Sequence, residues 1–183
     1  MNSTSVRSAT VADLGYILDQ QRKHRRELGF LPRQAVEEYE QRGHLWLAEE
    51  NGEGCGFLAW GGFPGKRPRR NPFTLRIVQA CIQYDAQRRR HGAELVRRLC
   101  GAARAGRYSE VSLWCADDLD ATEFWHMMGF EEVAVRTGGS RYVKDRPHRR
   151  WVLQLGTGQL ILPYPSGGVL AVAGVAPSVR KIG

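Results

Sequence analysis

Long apolar runs are missing from this chain of 183 residues, and no stretch could span a bilayer. The N-terminus, Met1-Asn2-Ser3-Thr4-Ser5, also lacks the charged region and apolar core of a secretory leader. The expected compartment is therefore the cytoplasm, with no membrane partner. Cysteine is scarce. Cys55, Cys81, Cys100 and Cys115 form no C-x-x-C pair and have no histidine at ligand spacing, so neither a zinc site nor a disulfide framework is expected. They read as small buried apolar residues. Internal repeats are absent as well. Acidic residues are outnumbered, 19 against 27 Lys and Arg, which leaves a formal net charge of +8 and points to anionic partners. With 42% hydrophobic and 25% charged residues, the composition is that of one ordinary globular domain.

Punctuation sets the organisation. Val6 to Leu14 reads as a strand turning into a helix, with Thr10-x-x-Asp13 as a capping box. That helix is expected from about Asp13 to Leu28, with Leu14, Ile17, Leu18 and Leu28 near one face and Gly29 as its stop. A second helix follows Pro32 and ends before Gly43. Leu45 to Ala48 and Cys55 to Trp60 read as strands joined across Asn51-Gly52, a strong hairpin dipeptide. Pro64 to Pro72 is too rich in Pro and charge to pair in a sheet. Gly156 to Gly183 is a Gly- and Pro-rich arm with one candidate strand at Gln159 to Leu162. It is expected to pack on the 1–155 domain or on a neighbouring copy in a homodimer, or to be partly disordered.

The most informative stretch is central. Thr74 to Tyr84 is rich in β-branched and aromatic residues, with partial alternation. Gln87-Arg88-Arg89-Arg90-His91-Gly92 follows and opens an amphipathic helix whose apolar members Leu95, Val96, Leu99, Cys100 and Ala103 oppose Arg97, Arg98 and Arg104. A strand that enters a helix through such a loop aims unpaired amides and the positive dipole end at one point, which suits a phosphate.

This stretch resembles the acetyl-CoA-binding signature of the GCN5-related N-acetyltransferases (GNAT), Gln/Arg-x-x-Gly-x-Gly/Ala. Gln87 matches the first position and Gly92 the last, and Ala93-Glu94-Leu95-Val96 continues as the family's helix does; Arg90 stands where the first glycine belongs. Asp118 to Phe130 resembles the second hallmark, Asn-x-x-Ala-x-x-x-Tyr-x-x-x-Gly-Phe. Ala121, Gly129 and Phe130 are in register, with Asp118 for the asparagine and Trp125 for the tyrosine. Together with the first strand, three segments occur in the family's order.

The resemblance implies an α/β fold: a mixed, mostly antiparallel sheet flanked by helices and splayed between the fourth and fifth strands. It implies acetyl-CoA as co-substrate and an acceptor, a small-molecule or peptide primary amine, that attacks the thioester directly. It places the cofactor on Gln87, Arg88, Arg89, Arg90, His91, Gly92 and Ala93, on amides near Cys81, Ile82 and Gln83, and beside Asp118 and Trp125. Trp125 has no titratable proton to give the leaving thiolate, so either His126, Cys115 or water takes that role or catalysis relies on proximity alone, with Asp85, Asp117 or Asp118 as candidate bases at strand ends. Glu27 lies where the fold closes over its acceptor. Each has a bland rival: His91 or His126 pointing to solvent, Asp capping turns, and Trp46, Trp60 and Trp114 filling the core. The inner face of the last helix is expected from Phe124, Met127 and Met128.

Charge supports a second reading. Basic clusters at Lys66 to Arg70 and at Arg141, Lys144, Arg146, His148, Arg149 and Arg150, with Phe73, Tyr142 and Trp151 interleaved, exceed what CoA needs and fit nucleic acid. A third reading, from Arg90 and Trp125, is a fold that binds acyl-CoA without turnover.

Overall fold

The computed structural model describes residues 4–61, 73–137 and 146–156. The arm from residue 157 onward and the expected loops at Pro64–Pro72 and around Arg141 and Lys144 lie outside the described residues. The chain runs β1 (Thr4–Ser8), α1 (Leu14–Lys23), α2 (Arg25–Leu28), α3 (Arg33–Gln41), β2 (Leu45–Glu50), β3 (Glu53–Trp60), β4 (Thr74–Ile82), α4 (His91–Ala105), β5 (Glu110–Ala116), α5 (Ala121–Met127), β6 (Glu131–Thr137) and β7 (Pro147–Gln154). Seven strands form a sheet in the order β1-β2-β3-β4-β5-β7-β6, antiparallel except between β4 and β5. The expected mixed, mostly antiparallel α/β architecture is what the chain adopts. Among the described residues no helix is long and apolar enough to cross a membrane.

Local chemistry explains most elements. At the first helix the Asp13 carboxylate accepts the Thr10 amide at 2.7 Å and the Thr10 hydroxyl at 2.9 Å, the reach-back half of the expected capping box. Arg7 holds the same carboxylate with two bonds, at 2.7 and 2.9 Å, keeping it well below the usual carboxylate range. Asn51 and Gly52 both take positive φ, 54° and 84°, the pair that a tight hairpin between twisted strands demands.

Two cores sandwich the sheet. On one face α4 and α5 bury Leu95, Leu99, Val96 and Trp125 against Trp46, Leu58, Leu75, Ile77, Leu113 and Trp151. On the other, α1 and α3 bury Ile17, Val36 and Tyr39 against Leu45, Leu47, Phe57 and Cys81. The cysteines are all free and buried, as their neighbours in sequence suggested. Of the strand tryptophans, Trp46 is buried, while Trp60 and Trp114 are half-buried.

Two expectations need correction, and β4 adds a feature the sequence did not announce. The helix expected over 13–28 breaks at His24, which closes α1 and opens α2. The helix expected from Asp118 begins at Ala121; Trp125 is its buried residue, Met128 at its C-cap is buried, and Phe124 packs half-buried against the same core. Strand β4 carries a bulge: Ala59 pairs with Gln79 but Trp60 with Ile77, leaving Val78 without an opposite number. The bulge changes which residues face which core. Before it Leu75 and Ile77 point to α4; after it Cys81 packs on the α1 side and Ala80 and Ile82 on the α4 side.

Candidate active site

Strand β4 runs beside β5 for only three residue pairs, Thr74 with Glu110, Leu75 with Val111 and Arg76 with Ser112. Beyond them the strands part. The second half of β4, from Ile77 to Ile82, keeps its β3 partners on one side and faces a gap on the other. Gln83 donates its amide to the Cys55 carbonyl on β3 at 3.0 Å. Alternation along an antiparallel ladder then turns the N–H and C=O of Ile82 toward the gap. The Ile82 carbonyl accepts the Gln87 side-chain amide at 3.0 Å, so the first residue of the loop motif clamps the loop to the strand end.

After a 3-10 turn at Tyr84–Ala86 the loop reaches α4 through Arg88 and Arg90, both with left-handed backbone at φ 61° and 73°. Arg90 is thus in the conformation for which glycine is suited, at the position where the resembled signature has glycine, and its side chain is exposed. The first α4 bond runs from the Glu94 amide to the Arg90 carbonyl, so the amides of His91, Gly92 and Ala93 have no intrahelical acceptor. With the exposed Arg88, Arg89 and Arg90 around them, these donors and the helix dipole make a cationic cradle. Arg89 also pairs with Glu50 at 2.9 Å. Left-handed backbone at a side-chain-bearing residue costs about 1 kcal/mol or more. Arg90→Gly should therefore raise stability by about 1 kcal/mol and the melting midpoint by ~3 °C. A fall in Tm on calorimetry would show that the Arg90 side chain itself holds the loop.

His91 departs from the solvent-facing expectation. It is 1% exposed, with its Nε2 3.8 Å from a Glu50 carboxylate oxygen. The ring does not point into solvent. Gly92 sits where α4 meets α5: a Cβ there would lie 3.3 Å from Phe124 Cζ and 3.7 Å from Ile82 Cγ1.

On the α5 side of the gap stand Cys115 and Trp125. The Trp125 indole is 6% exposed, packs edge-on against Phe124 and Phe130, and hydrogen bonds the Cys115 sulfur. Burial pushes that thiol up to about 11, so it stays protonated at neutral pH. His126, one residue on, is exposed, as is Asp85 in the 3-10 turn. Asp118 is held by Arg146, whose Nε lies 2.8 Å from it and whose Nη1 donates to the Arg26 carbonyl at 2.7 Å. Arg146 thereby ties β7 to α2 across the gap and holds the Asp118 carboxyl below its ordinary range.

The opposite wall comes from α1 and α2, which the sequence marked only through Glu27. His24 is buried and stacks on Tyr84, with ring centroids 4.2 Å apart; the Tyr84 hydroxyl meets Glu27 at 3.4 Å. Gln79 of β4 donates to the Leu28 carbonyl at 3.3 Å. No motif pointed to His24, Gln79 or Gln20, because their place depends on the bulge and the helix break.

The described part of the C-terminal basic cluster is matched internally: Arg146 by Asp118, Arg149 by Asp117 and Glu132, Arg150 by Glu110. Trp151 is core. Lys66 to Arg70, Arg141, Tyr142 and Lys144 lie outside the described residues.

Among curated proteins none matches this sequence. Solved structures do match. An N-acetyltransferase from Staphylococcus aureus Mu50 superposes with a TM-score of 0.68 at 22% identity, over 84% of this chain and 99% of that one. A putative acetyltransferase from Salmonella typhimurium, solved with its cofactor acetyl-CoA, gives 0.70 at 18% identity over 85% and 95%. The ribosomal-protein-S18-alanine N-acetyltransferase from Escherichia coli gives 0.66 at 15% identity over 90% and 100%. These likenesses concern the fold. Residues 14–130, more than half of the sequence, match the acetyltransferase (GNAT) family, and the chain belongs to that family.

Proposed function

We propose that this protein is an acetyl-CoA-dependent N-acetyltransferase whose acceptor, a primary amine, attacks the thioester directly. The observation that carries this reading is the parting of β4 and β5 immediately beside a cationic helix start. The cradle fits the cofactor: the amides of His91, Gly92 and Ala93 have no intrahelical acceptor, and Arg88, Arg89 and Arg90 add positive charge to suit a pyrophosphate. When bound, acetyl-CoA supplies a carbonyl carbon for the amine and a thiolate as leaving group. The Ile82 amide, turned to the gap, is the oxyanion donor; Cys81 and Gln83 set its direction from either side, Gln83 through its bond to Cys55. Cys115, held protonated by burial and bonded by Trp125, is the group on the α5 side with a proton to give to a leaving sulfur.

Mass spectrometry of the purified protein for retained CoA, followed by a panel of amines assayed by release of free thiol, tests the reading. Retained CoA and thiol release with at least one amine are expected; no binding by calorimetry at millimolar acetyl-CoA overturns it. Trp125 is not the general acid here. Trp125→Phe should change kcat by less than about tenfold, through lost packing and the lost bond to Cys115. A loss of about a hundredfold or more, the scale of a missing proton donor, would reverse that assignment.

A further inference from the structure

Unpartnered polar atoms gather along the seam between α1–α2 and the free half of β4. Gln20 Oε1, His24 Nε2 and Gln79 Oε1 are buried and have no hydrogen-bond partner among the described residues. His24 donates its amide to the Gln20 carbonyl at 2.9 Å and its carbonyl accepts that of Leu28 at 2.9 Å, which keeps the three residues on successive turns through the break. These turns face β4, since Gln79 bonds the Leu28 carbonyl and the residue after Gln83, Tyr84, stacks on His24. Buried polar atoms left unpaired are costly, and a buried polar site suits a bound water. The seam lies on the sheet face opposite α4, whose N-terminus forms the cofactor cradle.

We propose, resting on the N-acetyltransferase reading, that His24 takes the proton of the incoming ammonium through a water that donates one hydrogen to His24 Nε2 and the other to Gln20 Oε1. The ammonium gives one proton through that water to His24 Nε2, which returns it to solvent. The freed nitrogen lone pair bonds to the carbonyl carbon as the carbon–sulfur bond breaks; Cys115 protonates the leaving sulfur and is itself reprotonated by the second nitrogen proton. An amide, a thiol and one released proton result. Burial keeps the His24 imidazole below its ordinary value, against a smaller upward pull from Glu27 and in the same direction as Lys23. The other groups around it are the Tyr84 hydroxyl from the 3-10 turn and the buried Cys81 thiol of β4, both uncharged at neutral pH, and the neighbouring Arg25. His24 is therefore neutral at pH 7 and free to accept.

The test uses methylamine as acceptor, since it needs no shaped pocket, and reads thiol release from acetyl-CoA across pH. Wild type should show kcat/KM rising through a pKa below the ordinary imidazole value of about 6.5 and then a plateau. His24→Gln should lose about a hundredfold at pH 7 and lose the plateau, climbing about tenfold per pH unit because only free amine reacts, so that high pH restores it. A merely structural role would not be restored in this way. Proton NMR of the ligand-free protein should show the His24 ring, identified by its loss in the variant, titrating at the same midpoint. Should His24→Gln not fold, Gln20→Met, nearly equal in size, is expected to lose about tenfold at pH 7 by the same loss of proton relay. Equal profiles for wild type and variant, or a His24 midpoint at or above about 6.5, overturn the assignment while leaving the transferase reading intact; no thiol release by wild type at any pH overturns both.

Discussion

Gly92→Val should weaken acetyl-CoA binding by about tenfold or more on calorimetry, whereas Gly92→Ala should stay within about threefold. The second residue of α4 carries two demands. Its amide belongs to the cradle, and its missing side chain lets the start of α4 press on Phe124 of α5. A single methyl would meet the Phe124 ring edge at 3.3 Å, a contact that a small tilt of a half-buried ring relieves. Two further methyl groups have no such exit, because Ile82 Cγ1 stands 3.7 Å from the Cβ position and ends the strand that borders the gap. The valine would push the helix start away from Ile82 and shift the cradle amides. Unchanged binding by the valine variant would mean that the anion is held by the Arg88–Arg90 side chains rather than by the backbone.

The contrast between Gln87 and His91 shows how much of this site the sequence carried. Gln87 could be recognised by motif, and its physical task, clamping the loop to the Ile82 carbonyl, follows from a spacing of five residues. His91 lies in the same motif, but whether the first residue of a helix points in or out depends on the rotation of α4 over β2. That rotation is fixed by the remote core residues Leu95, Leu99 and Trp46. The helix–strand order was legible because apolar periodicity and turn residues are local signals. The bulge at Val78 was not: it was visible only as alternation that failed to persist through Thr74–Ile82, and its consequence, sending Cys81 to the α1 side, is tertiary. The break at His24 was hidden for a related reason. Between Leu18 and Leu28 the sequence offers no apolar anchor, so periodicity cannot tell a straight helix from a bent one. The bend accompanies Tyr84 stacked on His24 and Gln79 bonded to Leu28, both distant in sequence. The wall facing the cofactor cradle is built from such contacts, which is why the cofactor side could be read from the chain and the acceptor side could not.

Gly56→Ala should be the most destabilising single methyl in the domain, at about 3 kcal/mol, and should lower Tm by ~6–12 °C. Gly56 pairs with Ile82 across β3 and β4. A Cβ there would fall 2.4 Å from Ile82 Cδ1, 2.6 Å from the Cys81 carbonyl oxygen and 3.2 Å from Ile82 Cα. The first clash could be eased by a new Ile82 rotamer; the other two involve backbone, which can yield only if the end of β4 moves. That end holds the Ile82 amide in the gap and accepts Gln87 from the loop. The displacement is therefore expected to reduce kcat more than acetyl-CoA affinity, since an oxyanion donor acts through close placement while the cradle amides belong to α4. Thermal unfolding and calorimetric titration of the same variant separate the two effects. A stable variant with unchanged kcat would show that β3 and β4 can part at Gly56 without moving Ile82, and would remove that amide from the proposed mechanism.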